Sequence, residues 1–143
     1  MNWLFDTCVV SEMIRPRPSP RVMRWIENAH EESSFISALT LGEILQGLEL
    51  MGDVHRAQKI RVWIETVVMA RFEGRILPVD EKVATVWARL CAECKKKGVP
   101  RSVADSLLAA TARVHGLTVA TRNVSDFLYT GVSVVNPWEE EEF

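Results

Sequence analysis

The sequence predicts an α/β fold in which a mainly parallel sheet lies between layers of helices. Short apolar stretches without polar alternation recur along the chain, which is typical of strands covered on both faces. Longer segments between them carry apolar residues at helical spacing. The order strand, helices, strand, helices, strand, helix, strand is that of a parallel sheet with crossover helices.

Length and composition indicate one domain over 1–143, with a frayed acidic tail at 138–143. The chain has 143 residues, of which 48% are hydrophobic, enough for a sizeable core. The net charge of −2 excludes a basic field over the whole molecule, so contacts with nucleic acid depend on local groups such as 15–24 and 95–101. No signal peptide or membrane span is recognisable, and we expect a cytosolic protein.

The first strand is predicted at Trp3–Phe5, followed by a short helix over 9–15. Ser19 and Pro20 have the types of an N-cap and a first helical residue, so a second helix is expected to run to about His30. A second strand follows in the stretch SSFISALT.

The middle of the chain predicts two helices and a third strand. Thr40 is expected to open a helix that reaches Met51, and another covers about 55–70. The stretch RILPVD reads as the third strand, after which Asp80 can cap a further helix.

The last third predicts one more helix and a fourth strand. Gly98 turns the chain after three lysines, and Ser102 starts a helix that stops at Gly116. LTVAT is the fourth strand, RNVSDF a loop, and VSVV a short apolar stretch.

The cysteines predict reduced thiols. Cys8, Cys91 and Cys94 are an odd and sparse set, which argues against a disulfide framework. Cys91 and Cys94 form a C-x-x-C within a helical stretch, without a second pair or a nearby His to complete a zinc site. A half-buried helix face explains the pair better.

Several acidic side chains are expected at one edge of the sheet. Asp6 follows the first strand, Glu43 lies one turn into the helix after the second, and Asp126 follows the fourth, near Asn123. Asp105 lies one turn into the helix that precedes the fourth strand, and the N-terminus of that helix lies at the carboxyl edge of the strands. Carboxyl groups gathered there repel one another unless protonated, separated or bridged by a cation, and oxygen donors suit Mg²⁺ or Mn²⁺.

Helix capping is the competing interpretation. Thr40 to Glu43 and Ser102 to Asp105 both fit a capping box or a near variant of it, in which the acid bonds back to the backbone of the cap residue. Capping gives no reason for all the acids to face one cleft, but spacing alone leaves both interpretations open.

The motifs together resemble the PIN-domain toxins of the VapC family. The resemblance rests on LFDTCVVSE with RPRPSPRV, ISALTLGEI, GRILPVDEKVA, VADSLLAATARVHGLTVATRNVSDF and the closing NPW, and it spans nearly the whole chain. It implies a PIN-like three-layer sandwich and a metal-dependent ribonuclease, the toxin of a toxin–antitoxin pair.

The resemblance also implies residue roles. Asp6, Glu43 and Asp105 match three family acids; Asp126 is taken as the fourth, with Asn123 as a neutral helper. Cys8 stands where the family usually has Asn, which loses an amide beside the metal. Apart from the resemblance, Thr7 and Thr121 are expected either to hydrogen-bond to the ligands or the substrate, or to cap turns. Arg122 beside the acids is a candidate to hold a phosphate, the alternative being a solvated loop arginine.

Cofactor and partners follow from the same resemblance. We expect Mg²⁺ or Mn²⁺ to activate water for hydrolysis of an RNA phosphodiester. We also expect a homodimer and a VapB-type antitoxin that covers an apolar groove and blocks the acids.

Three rival functions share some of these features. A phosphatase of the haloacid dehalogenase type requires a second Asp where this chain has Cys8. A DNA nuclease uses the same metal chemistry, and no residue here is assigned to reading a 2′-hydroxyl. A catalytically impaired PIN-like binding module finds support only in Cys8 and Asn123, and the four retained acids argue against it.

Overall fold

The computed structural model describes residues 1–139 and shows a five-stranded sheet between two layers of helices. In chain order the strands are β1 (Trp3–Phe5), β2 (Ser34–Ser37), β3 (Ile76–Leu77), β4 (Thr118–Ala120) and β5 (Val134–Val135). All neighbours pair in parallel in the order β3-β2-β1-β4-β5. The predicted α/β sandwich is therefore confirmed, with β1 at its centre.

In the part of the chain that the structure describes, seven α-helices connect the strands. They are α1 (Thr7–Glu12), α2 (Pro20–Asn28), α3 (Ala38–Glu49), α4 (Val54–Trp63), α5 (Met69–Arg71), α6 (Glu81–Lys96) and α7 (Val103–His115). A π-helical segment, Ile64–Val68, joins α4 to α5, and short 3₁₀ helices lie at Glu31–Ser33 and Val124–Phe127. No helix within residues 1–139 is both long and apolar enough to cross a membrane.

Each face of the sheet has its own core. Phe5 packs with side chains of α1 to α4 and of the π-helical segment, and its ring contacts those of Trp25 in α2 and of Phe72, directly after α5. The preceding residue, Leu4, points to the other face and packs with α6 and α7. Helices thus cover both faces of the sheet, and the strand residues that point to either face are apolar. For this reason the strands show no alternation of polar and apolar residues in the sequence.

Most predicted helix ends are confirmed. Ser19, Asp80 and Ser102 each accept a backbone N–H in the first turn of the helix that follows. Gly98 (φ 73°) and Gly116 (φ 66°) adopt the left-handed conformation that ends a helix. These ends depend on local residue types, so the sequence was sufficient to predict them.

Two helix starts differ from the prediction. Thr40 does not cap α3; the cap is Ser37, whose hydroxyl accepts the Leu39 N–H at 3.0 Å. Thr40 instead lies buried in the first turn, and its Oγ1 has no hydrogen-bond partner among the described residues. The first helix begins two residues earlier than predicted, at Thr7, because Asp6 acts as its N-cap.

The C-terminal part adds two elements to the prediction. VSVV contains β5, and RNVSDF contains a 3₁₀ helix rather than loop alone. Both are too short for hydrophobic periodicity to reveal. Of the predicted frayed tail at 138–143, Trp138 packs against the core, and 140–143 lie outside the described residues.

The three cysteines are free thiols, as predicted. Cys94 is buried in the core beside α7, and Cys91 is half-buried on α6. The C-x-x-C is part of a packed helix face.

Candidate functional site

Four acidic side chains are carried by elements that meet the carboxyl edge of the sheet. Asp6 follows β1, and Glu43 lies in the second turn of α3, after β2. Asp105 is in the first turn of α7, and Asp126 lies in the 3₁₀ helix after β4. Parallel strands deliver their C-terminal residues to one edge, so distant parts of the chain share one cleft.

Asp6 is fixed by two hydrogen bonds. Its Oδ1 accepts the Thr7 N–H at 2.7 Å, and its Oδ2 accepts the Thr121 hydroxyl at 2.7 Å. Thr121 is fully buried, and its Oγ1 also accepts the Asn123 N–H at 3.0 Å. Because hydrogen bonds to a carboxylate are charge-assisted, these contacts hold Asp6 in one orientation. Asp6 is therefore both a helix cap and a fixed carboxylate of the cleft.

Cys8 lies against the same carboxylate. Its Sγ is 3.7 Å from Asp6 Oδ2 and 3.6 Å from Thr121 Oγ1, and it accepts the Arg122 N–H at 3.4 Å. Burial raises the pKa of the Cys8 thiol, and the charge of Asp6 adds to that effect. A protonated thiol donates to Asp6, so Cys8 supplies a weak donor at this position.

Glu43 is exposed and is oriented by one contact. Its Oε1 accepts the hydroxyl of Thr7 at 3.1 Å. The capping-box interpretation is wrong for Glu43, because the cap of α3 is Ser37 and Glu43 lies beyond the first turn. Its carboxylate therefore remains available for a ligand.

Asp105 experiences the charges of two other acids. Burial raises the pKa of the Asp105 carboxyl, and the negative charges of Asp126 and Asp6 raise it further. A side-chain hydrogen bond with Ser102 and the charge of Arg101 act in the opposite direction. The Ser102 hydroxyl also accepts the Asp105 N–H at 3.1 Å, so capping and membership of the cleft coexist here. Asp105 therefore lies near both Asp6 and Asp126, at the same edge of the sheet.

The remaining predicted residues lie at the rim. Arg122 is exposed, and its guanidinium lies over the ring of Trp138, 5.2 Å from the centroid. Asn123 is exposed and contributes its backbone N–H to Thr121. The contact with Trp138 was not predicted, because nothing in the sequence links NPW to T-R-N.

Arg101 is a second residue that sequence reasoning missed. Its Nη1 donates to the carbonyl of Ser125 at 3.1 Å, directly before Asp126 in the chain. It therefore joins the start of α7 to the 3₁₀ helix, and so connects the segments that carry two of the acids. The basic group at 95–101 suggested a surface charge but not this contact.

The donor set fits a hard divalent cation. The acids supply carboxylate oxygens only, and Mg²⁺ takes one or two carboxylates while it keeps several waters. Within residues 1–139, no three His, Cys, Asp or Glu side chains are placed closely enough to enclose an ion by themselves. A cation here would thus bind partly through water, which suits the exposure of Glu43.

A cavity of about 330 Å³ opens beside the acids. Thr7 and Glu43 line it, so the cavity and the cleft are continuous. Its other walls come from the end of α1, α3 and α4, and are mainly apolar. They include Ile14, Arg15, Ile44, Leu48, Met51, Arg56 and Ile60.

Comparison with known families identifies this arrangement. The sequence profile of the PIN domain matches residues 3–128. The chain belongs to the PIN domain family. The predicted resemblance is therefore confirmed, and the PIN-domain match covers all four acids.

Relatives of this PIN domain include named toxins. It is 38% identical to Toxin FitB of Neisseria gonorrhoeae, over 96% of this chain and 99% of that protein. It is 36% identical to VapC ribonuclease Y4jK of Sinorhizobium fredii, over 95% and 97% of the two chains. These relatives confirm the expected VapC-type toxin family.

Solved structures show the same fold. The crystal structure of FitAcB from Neisseria gonorrhoeae superposes with a TM-score of 0.92 at 38% identity, covering 96% of this chain and 99% of that chain. A toxin–antitoxin complex from Klebsiella pneumoniae superposes with a TM-score of 0.71 at 26% identity, covering 97% and 100%. The fold is thus shared along nearly the whole length.

Proposed function

We propose that this PIN domain is the toxin of a toxin–antitoxin pair, a Mg²⁺- or Mn²⁺-dependent endoribonuclease that acts in the cytoplasm. The observation that carries the proposal is the cleft in which Asp105 experiences the negative charges of Asp6 and Asp126, and in which two hydrogen bonds hold Asp6. The ribonuclease name of one relative and the toxin name of another support it.

The acids divide the work of holding a cation. Asp6 and Asp105 are the proposed principal ligands, Glu43 acts through water or as a base towards it, and Asp126 serves a second position. What a divalent cation supplies when bound there is Lewis acidity, which neutralises phosphate charge and lowers the pKa of water. Thr121 keeps the Asp6 carboxylate turned towards the cleft, and Thr7 does the same for Glu43.

No protein nucleophile is proposed. Among residues 1–139, the only thiol in the cleft is that of Cys8, and its raised pKa keeps it protonated. The proposed nucleophile is therefore water. Glu43 is an exposed carboxylate of the cleft, and it is the proposed acceptor of a proton from that water.

The partners are proposed on separate grounds. An antitoxin of the VapB type, encoded beside this chain, would fill the apolar cavity next to Glu43 and thereby block access to the acids. The solved toxin–antitoxin complex that shares this fold supports such a partner. We also propose a homodimer, consistent with apolar side chains exposed on the stretch from α4 to α5, including Val62, Val67 and Met69.

The decisive experiment is cleavage of end-labelled tRNA, other structured RNA and single-stranded DNA by antitoxin-free protein. Each substrate is tested with Mg²⁺, Mn²⁺ or chelator, for the wild type, Asp6→Asn and a control, Asp53→Asn. Asp53 also caps a helix, α4, but lies outside the cleft. RNA cleavage that disappears with chelator and with Asp6→Asn, but survives in Asp53→Asn, is expected.

Two results would contradict the proposal. Preferential cleavage of DNA would make the protein a DNA nuclease with the same chemistry. Absence of cleavage, together with absence of Mn²⁺ binding by calorimetry, would leave an impaired binding module, for which Cys8→Asn is the first reversion to test.

A further inference from the structure

Two exposed arginines, Arg122 and Arg21, contact Trp138. The guanidinium of Arg122 lies over its ring at 5.2 Å, and Nη1 of Arg21 donates to its carbonyl at 3.1 Å. The Trp138 N–H donates to Asn136 Oδ1 at 3.0 Å, and the ring packs against the core. The residue that holds both arginines is therefore itself fixed.

Arg122 and Trp138 lie at the same edge of the sheet as the acidic side chains. Arg122 directly follows Thr121, which binds Asp6, and its N–H donates to Cys8. Trp138 comes three residues after the end of β5, which is parallel to β4, so it reaches the carboxyl edge as well. A strand of nucleic acid lying across the acids would pass beside these arginines.

The guanidinium of Arg122 is prepared for an anion. Arg122 forms no ion pair with a carboxylate of residues 1–139. Stacking on an aromatic ring uses the flat face of a guanidinium and leaves its N–H edges free, and it reduces the freedom lost on binding. Planar N–H edges match the oxygens of a phosphate.

We propose that Arg122 and Arg21, both held by Trp138, form a binding site for a backbone phosphate of the RNA strand. The inference rests on the proposed function, and it assigns the site to substrate binding rather than to chemistry. It also explains how a chain with a net charge of −2 attracts RNA, since the positive charge is local to the edge where cleavage occurs.

Salt dependence of RNA binding tests the site. Binding of a fluorescent, mixed-sequence single-stranded RNA is followed by anisotropy at several KCl concentrations, with EDTA present to prevent cleavage. The variants are Arg122→Gln, Arg122→Lys, Trp138→Leu and Trp138→Phe. The matched control is Arg113→Gln, an exposed arginine in the last turn of α7, at the opposite edge of the sheet.

The expected results separate charge from positioning. Arg122→Gln loses one phosphate contact, so the slope of log K against log salt falls by about 0.7 and affinity falls about 5- to 10-fold at low salt. Arg122→Lys keeps the slope but binds more weakly than the wild type, because an ammonium lacks the planar fork. Trp138→Leu weakens binding, Trp138→Phe restores most of it, and Arg113→Gln behaves as the wild type.

Cleavage kinetics complete the test. With Mg²⁺ present, Arg122→Gln is expected to raise KM and leave kcat unchanged, because a remote phosphate contact stabilises substrate and transition state equally. A normal salt slope for Arg122→Gln, or an equal loss in Arg113→Gln, overturns the phosphate site while wild-type cleavage still stands. Failure of the wild type to bind or cleave RNA overturns the proposed function instead.

Discussion

Replacement of Thr121 by valine tests whether the buried hydroxyl organises the acid cleft. Valine has nearly the same shape but removes the donor to Asp6 Oδ2 and the acceptor of the Asn123 N–H. A hydrogen bond to a carboxylate contributes about 1.5–3 kcal/mol, and an N–H left without its partner adds about 1 kcal/mol. We therefore expect the free energy of unfolding to fall by about 3 kcal/mol.

The matched control is Thr111→Val. Thr111 is equally buried, but its hydroxyl donates at 2.8 Å to the Leu107 carbonyl of its own helix, α7. Removal of such a local bond costs less than about 1 kcal/mol. The difference of about 2 kcal/mol, divided by a urea m-value of about 2 kcal/mol/M, shifts the unfolding midpoint by about 1 M between the two variants.

Two measurements check the reasoning. Urea unfolding of the two variants and the wild type gives the midpoints, and calorimetry with Mn²⁺ gives the affinity of the cleft. Loss of a side chain that orients a metal ligand is expected to weaken Mn²⁺ binding about 10- to 100-fold. Equal midpoints for Thr121→Val and Thr111→Val, with unchanged Mn²⁺ affinity, would show that the hydroxyl does not organise Asp6.

Three further predictions concern stability. The pKa of Asp105 is raised above its ordinary value of 3.8, so its ionised form weakens the metal-free fold. Asp105→Asn should therefore raise the urea midpoint in EDTA at pH 7. This gain should shrink as the pH falls through the raised pKa towards 3.8. An equal gain in the urea midpoint at pH 7 and near pH 3.8 would contradict that account. Glu12 is buried and accepts the Ser19 N–H at 2.8 Å, so Glu12→Ala should cost about 2 kcal/mol in urea unfolding and Glu12→Gln less than half of that. Gly116 has φ 66°, so Gly116→Ala should destabilise the protein by about 1 kcal/mol. Gly42 lies within α3 with open space around it, so Gly42→Ala should stabilise by about 0.5–1 kcal/mol. Thermal melts that give the same sign for both variants would refute this conformational argument.

Local rules predicted those parts of the fold that depend on neighbours in the chain. The caps at Ser19, Asp80 and Ser102 and the stop at Gly116 were predicted because side-chain type determines these helix ends. The cap at Thr40 was wrong because Ser37 already has extended backbone and a hydroxyl within reach. Two equally suitable residue types three positions apart cannot be ranked without the strand that precedes them.

The candidate site was predictable only as a set of residues at one edge. Parallel topology was sufficient to gather the acids, but not to show that Thr7 contacts Glu43 or that Arg122 stacks on Trp138. These contacts depend on side-chain directions after five strands have paired, and the last strand has only two residues. Similarly, no residue type in the sequence predicts the π-helical turn between α4 and α5.

The central place of β1 has a consequence during synthesis of the chain. Its residues are made before those of β4, yet β1 pairs with β4 at Thr118–Ala120, and Asp6 acquires its hydrogen bond from a residue 115 positions later. Contacts so distant in sequence form late in folding, because a long loop must close first. A nascent chain that still lacks β4 has no fixed carboxylate and no cleft. The acid cleft can thus form only after β4 has been synthesised and paired with β1.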